Sequence, residues 1–340
     1  MIRKKLTVLV TGSILLLVIT IFISLAFGAR NIPFKEVIEI LEDLLHDTIN
    51  NPTTNSMNAL VLYERIPRTL FGLLAGAALG VSGALMQSVT RNPIADPSIL
   101  GVNTGASLVV VLGIAFFNIS TSGAYILFAL IGAALTTIFV YGIGSLGSGG
   151  ATPIKLALAG AATSAAFSSL VSAIILPRVD VMNAFRFWQV GSISGGDWSK
   201  LAVLTPLVGF ALVLGFIVTP ALDALSLGDD VATGLGVNTR LIRLIATVSG
   251  VILCGATTAF AGPIGFVGLM VPHVIRLISG PSLRIIIPFS AIGGAILLTV
   301  SDVIGRLIGS PGELEAGIVT AFIGAPVLII IAMKAKVRTL

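Results

Sequence analysis

Charge is what this sequence has least of. Of its 340 residues, 10% are Asp, Glu, Lys or Arg and 56% are hydrophobic, whereas a soluble domain carries roughly 25% charged residues. A water-soluble body of this size needs an ionic coat that the chain cannot supply. A bilayer removes that need, because helices satisfy their backbone groups internally. The single cysteine, Cys254, excludes a disulfide framework and a cysteine-rich metal site. Only two histidines occur. His46 reads as a loop residue on one side and His273 as a structural hydrogen-bonding group near the other, so they cannot share a metal or build a nucleophile–histidine pair. No G-x-x-x-x-G-K-[ST] run is present, and the glycine-rich stretch 142–150 lacks its lysine, which excludes a P-loop. The expected span centres hold no ionisable side chain, which argues against a proton-coupled carrier. Sodium sites made of carbonyls and hydroxyls escape that argument.

What is present is long apolar runs. About 20 apolar residues cross roughly 30 Å of hydrocarbon, and ten runs qualify: 6–27, 69–89, 98–117, 124–144, 153–176, 201–221, 244–260, 265–278, 285–305 and 314–333. The first follows Arg3, Lys4 and Lys5 as a secretory signal would, but it exceeds a typical signal core and reads as a retained helix. The eighth is short, and reads as a tilted span between irregular segments or as a re-entrant piece. With ten crossings and a cytoplasmic N-terminus, most of the 20 basic residues fall inside, Arg91, Arg240, Arg243, Arg276, Lys336 and Arg338 among them. This follows the positive-inside rule, with both termini in the cytoplasm of a cell-membrane protein. The net charge of +5 therefore reports membrane orientation rather than nucleic-acid binding, since the basic residues cluster at span ends. The whole chain, 1–340, reads as one all-α transmembrane domain.

Caps and pairs are visible at several span ends. Asp96 before Pro97 and Thr152 before Pro153 fit helix starts. Residues 36–47 fit an acidic amphipathic surface helix, and 177–200 an outer loop. Residues 222–243 fit an inner loop of two short amphipathic helices broken by Gly228 and Gly236. Asp302 and Arg306, four apart on one helical face, fit an ion pair. Gly72, Gly76, Gly80 and Gly83, and likewise Gly101 and Gly105, form small-residue stripes that favour close helix contact. The small run 159–166, with Gly160, Thr163 and Ser164, fits either packing or a weakly polar pathway wall. Arg65, Arg68 and Arg306, all on the outer side, fit either interfacial anchors or a dock for a partner's carboxylates.

Long motifs then point further. RIPRTL at 65–70, GAALGVSGALMQ at 76–87, RNPIADPSILG at 91–101, LSLGDDVA at 225–232, GLGV at 234–237, GPIGFVGLMVPHVIR at 262–276 and GAP at 324–326 together resemble the FecCD family of ABC importer permeases. The resemblance implies a type II importer permease of about ten helices, paired with an identical or paralogous copy around a shared pathway. It implies cytoplasmic ATPase subunits docking on the loop that holds Leu222, Leu225, Ser226, Leu227, Gly228, Asp229, Asp230, Leu235 and Gly236. It implies an external or periplasmic binding protein docking at Arg65, Arg68 and Arg306. It implies a gate near the turn Ser145, Leu146, Gly147, Ser148 and Thr152. Iron-siderophore uptake is the expected activity, with cobalamin or haem uptake as the alternative and an ion-coupled carrier as a more distant one. No cofactor, metal or catalytic residue is expected in this chain.

Overall fold

The computed structural model describes residues 2–46, 57–93, 95–147 and 152–334. Asp47, Ser148, Lys336 and Arg338, which enter the readings above, lie outside these residues. Each expected apolar run is a helix. Seven are long and apolar enough to cross a membrane: α1 (Ile2–Ala26), α3 (Met57–Thr90), α5 (Ser122–Gly144), α6 (Pro153–Ile175), α8 (Trp198–Leu225), α10 (Thr239–Ala261) and α12 (Leu283–Ile308). Three shorter apolar helices complete the set: α4 (Val102–Phe117), α11 (Val267–Ser279) and α13 (Ala316–Lys334). The protein is multi-pass and, among the described residues, built of helices alone. Three further helices lie between the apolar ones. They are α2 (Phe34–His46), α7 (Val179–Gln189) and α9 (Asp229–Gly234).

The anticipated starts are in place. Asp96 accepts a hydrogen bond from the Ser98 amide at 2.9 Å and begins a 3₁₀ turn at Pro97–Leu100. Thr152 accepts one from the Lys155 amide at 3.4 Å and begins α6. The amphipathic helix read over 36–47 is α2, which sets Val37 inward against Leu25 and Leu62. Two boundaries differ from the sequence reading. α3 begins at Met57, so the Arg65–Arg68 motif sits within the helix rather than ahead of it, with Pro67 in its interior. A membrane helix tolerates such a proline when neighbouring groups satisfy the freed carbonyl. α8 continues to Leu225, so one short helix, α9, occupies the inner loop where two were expected.

α3 is the centre of the bundle, and its glycines explain why. A Cβ on Gly76 would meet the Gly294 carbonyl, one on Gly80 the Ser290 carbonyl, and one on Gly83 the Gly268 carbonyl. The backbones of α3, α12 and α11 therefore touch directly, which only glycine allows. A second such contact joins α4 to α5, where a Cβ on Gly132 would meet the Gly105 carbonyl. α11 has 13 residues and left-handed backbone on both flanks, at Phe266 (φ 69) and Gly280 (φ 87). This matches the short segment bounded by irregular chain that the sequence suggested.

Replacing Gly76 by Val should destabilise the detergent-solubilised protein by about 3 kcal/mol or more, beyond the usual range for overpacking because backbone is struck. Thermal unfolding would show it. Gly142→Ala, where a Cβ meets nothing within 4 Å, should leave the midpoint unchanged.

Candidate functional site

At the end of the bundle expected to face outward, the three arginines expected to meet a partner are turned inward. Arg65 and Arg306 are 8% and 3% exposed. Arg65 donates to the Leu25 carbonyl at 2.8 Å and to the Arg30 carbonyl at 2.6 Å. Arg306 donates to the carbonyls of Ser24 and Phe27, both at 3.1 Å, and to Ser24 Oγ at 3.0 Å. The Ser24 and Leu25 carbonyls belong to the last turn of α1, where no residue of that helix can satisfy them, and Phe27 and Arg30 follow it in the chain. Two cations thus cap one helix C-terminus, where the dipole favours positive charge. Arg68 forms ion pairs with Asp302 at 2.7 Å and Glu313 at 2.9 Å. The pair read from the i, i+4 spacing is also present, with Arg306 Nε 3.1 Å from Asp302 Oδ2. Direct docking on a partner's carboxylates requires free surface guanidinium groups, and here they are enclosed. The enclosing carbonyls come from α1 and the turn after it, 35 or more residues away in sequence, which sequence alone could not align.

At the opposite end, expected to face the cytoplasm, α9 projects from the bundle. Leu227, Val231 and Leu235 are exposed at 67%, 48% and 65%. Leu222 and Leu225, expected beside them, lie in the core because they complete the last turn of α8. Ser226, Gly228, Asp229, Asp230 and Gly236 lie around α9 as expected. Gly228 and Gly236 have positive φ, 121° and 82°, which frees the helix to leave the bundle at one end and return at the other. Gln87 near the end of α3 donates to the Leu269 carbonyl at 3.1 Å and accepts from Arg276 at 3.1 Å.

The small-residue helix α6 has two faces, and the residues singled out lie on the packed one. A Cβ on Gly160 would strike the Ile99 carbonyl. Thr163 is buried, and Ser164 Oγ lies 3.2 Å from Thr104 Oγ1 as its hydrogen-bond acceptor. The opposite face exposes Ala161, Ala162, Ala165, Ala166, Ser169 and Ser172. Separately, a groove of about 780 Å³ lies between α7 and α13, with Arg186, Gln189 and Phe322 among its lining. α7 falls within residues 177–200, which read from sequence as an outer loop. Of the residues expected at a gate, Ser145 caps α5 by donating to the Tyr141 carbonyl, Leu146 is exposed and Gly147 is left-handed at φ 79. Ser148 lies outside the described residues. No cluster of three or more potential metal ligands occurs among the described residues.

The model of the FecCD transport family matches residues 16–334. The chain belongs to the FecCD family. The FecCD family is one of transport permeases rather than catalytic subunits. The chain is 42% identical to the ferric enterobactin transport system permease protein FepD of Escherichia coli strain K12, over 96% of this chain and 95% of that one. It is 38% identical to the iron(3+)-hydroxamate import system permease protein FhuB of Bacillus subtilis strain 168, over 97% and 83%. A solved inward-facing metal-chelate type ABC transporter superposes with TM-score 0.80 at 28% identity, covering 98% of this chain and 100% of that one. The all-helical type II permease architecture is thereby established for this FecCD chain.

Arg306→Ala should uncap α1 and lower stability by about 3 kcal/mol, the scale of breaking a buried charge pair. Thermal unfolding of the FecCD permease alone reads this without any partner present. A residue serving only to dock a receptor would leave that midpoint unmoved.

Proposed function

We propose that this chain is the membrane-spanning subunit of an ATP-driven importer of ferric siderophores, at work in the cell membrane with both termini in the cytoplasm. Near full-length identity to a ferric enterobactin permease carries the reading. The exposed apolar face of α9 supports it at the inner side. Val231 on the six-residue helix, with Leu227 just before it and Leu235 just after it, is exposed between two positive-φ glycines, Gly228 and Gly236, a shape suited to a groove on a cytoplasmic ATPase. This chain has no phosphate cradle of its own and borrows hydrolysis from that partner.

A second permease copy, identical or paralogous, closes the pathway. The wall this chain contributes is the exposed alanine and serine face of α6, continued by the α7–α13 groove. Small, weakly polar side chains hold a bulky chelate loosely, which suits a conduit fed by a separate binding protein. Gly160, Thr163 and Ser164 support that wall from behind. The turn at Ser145, Leu146, Gly147 and Thr152 is the inner gate, its two ends fixed by the caps on α5 and α6. The external binding protein meets the outer rim that Arg65, Arg68 and Arg306 hold in shape, and the chain binds no cofactor.

Reconstituted with its ATPase and binding protein, the wild-type permease should accumulate radiolabelled ferric enterobactin, ferric hydroxamate or ferric citrate in vesicles only with ATP. Uptake that persists without the ATPase would overturn the reading. Leu227→Asp combined with Leu235→Asp should abolish ATPase co-purification while membrane insertion stays normal.

A further inference from the structure

Two aspartates flank the exposed inner segment, and each reaches a different core helix. Asp223, two residues from the end of α8, accepts a hydrogen bond from the Leu283 amide at 2.7 Å. It thereby caps α12, whose own N-cap Ser282 makes no side-chain cap. Its second oxygen lies 3.5 Å from Ser282 Oγ and 3.7 Å from Arg284 Nε. Asp229, the first residue of α9, accepts from Arg243 of α10 at 2.8 and 2.9 Å. It also pairs with Arg91, just past the end of α3. Arg91 donates to the Leu225 carbonyl at 2.7 Å as well.

Stability does not account for the Asp229 cluster. Its Arg91 and Asp229 side chains are 41% and 45% exposed, and exposed pairs of this kind contribute little. Arg91 also holds a left-handed backbone, φ 51, which costs a residue with a Cβ. What the cluster does supply is geometry. It fixes the first turn of α9 to the end of α3, while Asp223 fixes the turn before it to the start of α12. α3 and α12 are the two helices locked backbone to backbone through Gly76, Gly80 and Gly294.

We propose that Asp229, assisted by Asp223, is the positioning link that carries movement of α9 into the locked α3–α12 pair. This rests on the reading that α9 meets the ATPase. Displacing α9 pulls on the end of α3 through Asp229 and, through the adjoining last turn of α8 that carries Asp223, on the start of α12. Losing the Asp229 charge frees α9 from α3 without unfolding the bundle.

The test uses the whole complex in proteoliposomes, with ATP hydrolysis and uptake measured together for whichever of the three ferric chelates the wild type moves. In Asp229→Asn, transport per ATP hydrolysed should fall at least about fivefold, the lower end of ordinary coupling between sites. Asp229→Glu should restore most of it. Arg91→Gly relieves the left-handed backbone while removing the guanidinium, so it should uncouple transport with no loss of thermal stability. Wild-type transport per ATP in both Asp229→Asn and Arg91→Gly would overturn the link. So would a transport loss matched by equal losses of ATPase activity and thermal stability, since that marks a merely structural role. ATPase that binds the Leu227→Asp, Leu235→Asp protein normally would instead overturn the docking reading beneath it.

Discussion

The direct contact between the backbones of α3 and α12 is the constraint on which the rest of this structure depends. Lipid gives helices no hydrophobic reason to associate, so close packing and internal hydrogen bonds must hold them together. Gly76, Gly80 and Gly294 let the two chains meet carbonyl to Cα. Gly83 extends the contact to α11. Packed this tightly, the pair cannot slide by fractions of an ångström without collision, and it behaves as one body. Everything polar and functional is attached to its two ends.

At the outer end, the attachment is the arginine clamp. α1 exposes most of its apolar length, with Val8, Ile14 and Leu15 all on the surface, and it has little packing to hold it. Its open carbonyls are held instead by Arg65 from α3 and Arg306 from α12. Asp302 balances the charge between Arg68 and Arg306, as a low-dielectric setting requires. The rim at this end is therefore shaped by these arginines rather than presented by them. At the inner end, the attachments are Asp223 and Asp229, which tie the segment around α9 to the same two helices.

Much of this was legible in the sequence, and the gaps have a common cause. Apolar runs, the caps at Asp96 and Thr152, the Asp302–Arg306 pair and the glycine stripe are local patterns, and local periodicity reveals them. The direction in which a side chain faces within the bundle is a tertiary property. For that reason Arg65 and Arg306 read as surface groups, though distant α1 carbonyls enclose them. Leu222 and Leu225 read as part of an amphipathic helix, though α8 continues through them. Gly160, Thr163 and Ser164 read as either packing or pathway residues, and their contacts with the 3₁₀ turn and α4 lie on the packed side. α7 escaped notice because its eleven residues are too few and too polar to read as a span.

The measurement closest to the central claim is the distance between spin labels on α3 and α12, placed at the exposed positions Leu60 and Leu307. It would be made in the nucleotide-free complex and again with ATP trapped. A backbone-locked pair keeps one narrow distance distribution in both states, while a label at Leu227 shifts relative to either helix. A change of several ångström between Leu60 and Leu307 would contradict the lock, and with it the two-ended arrangement built upon it.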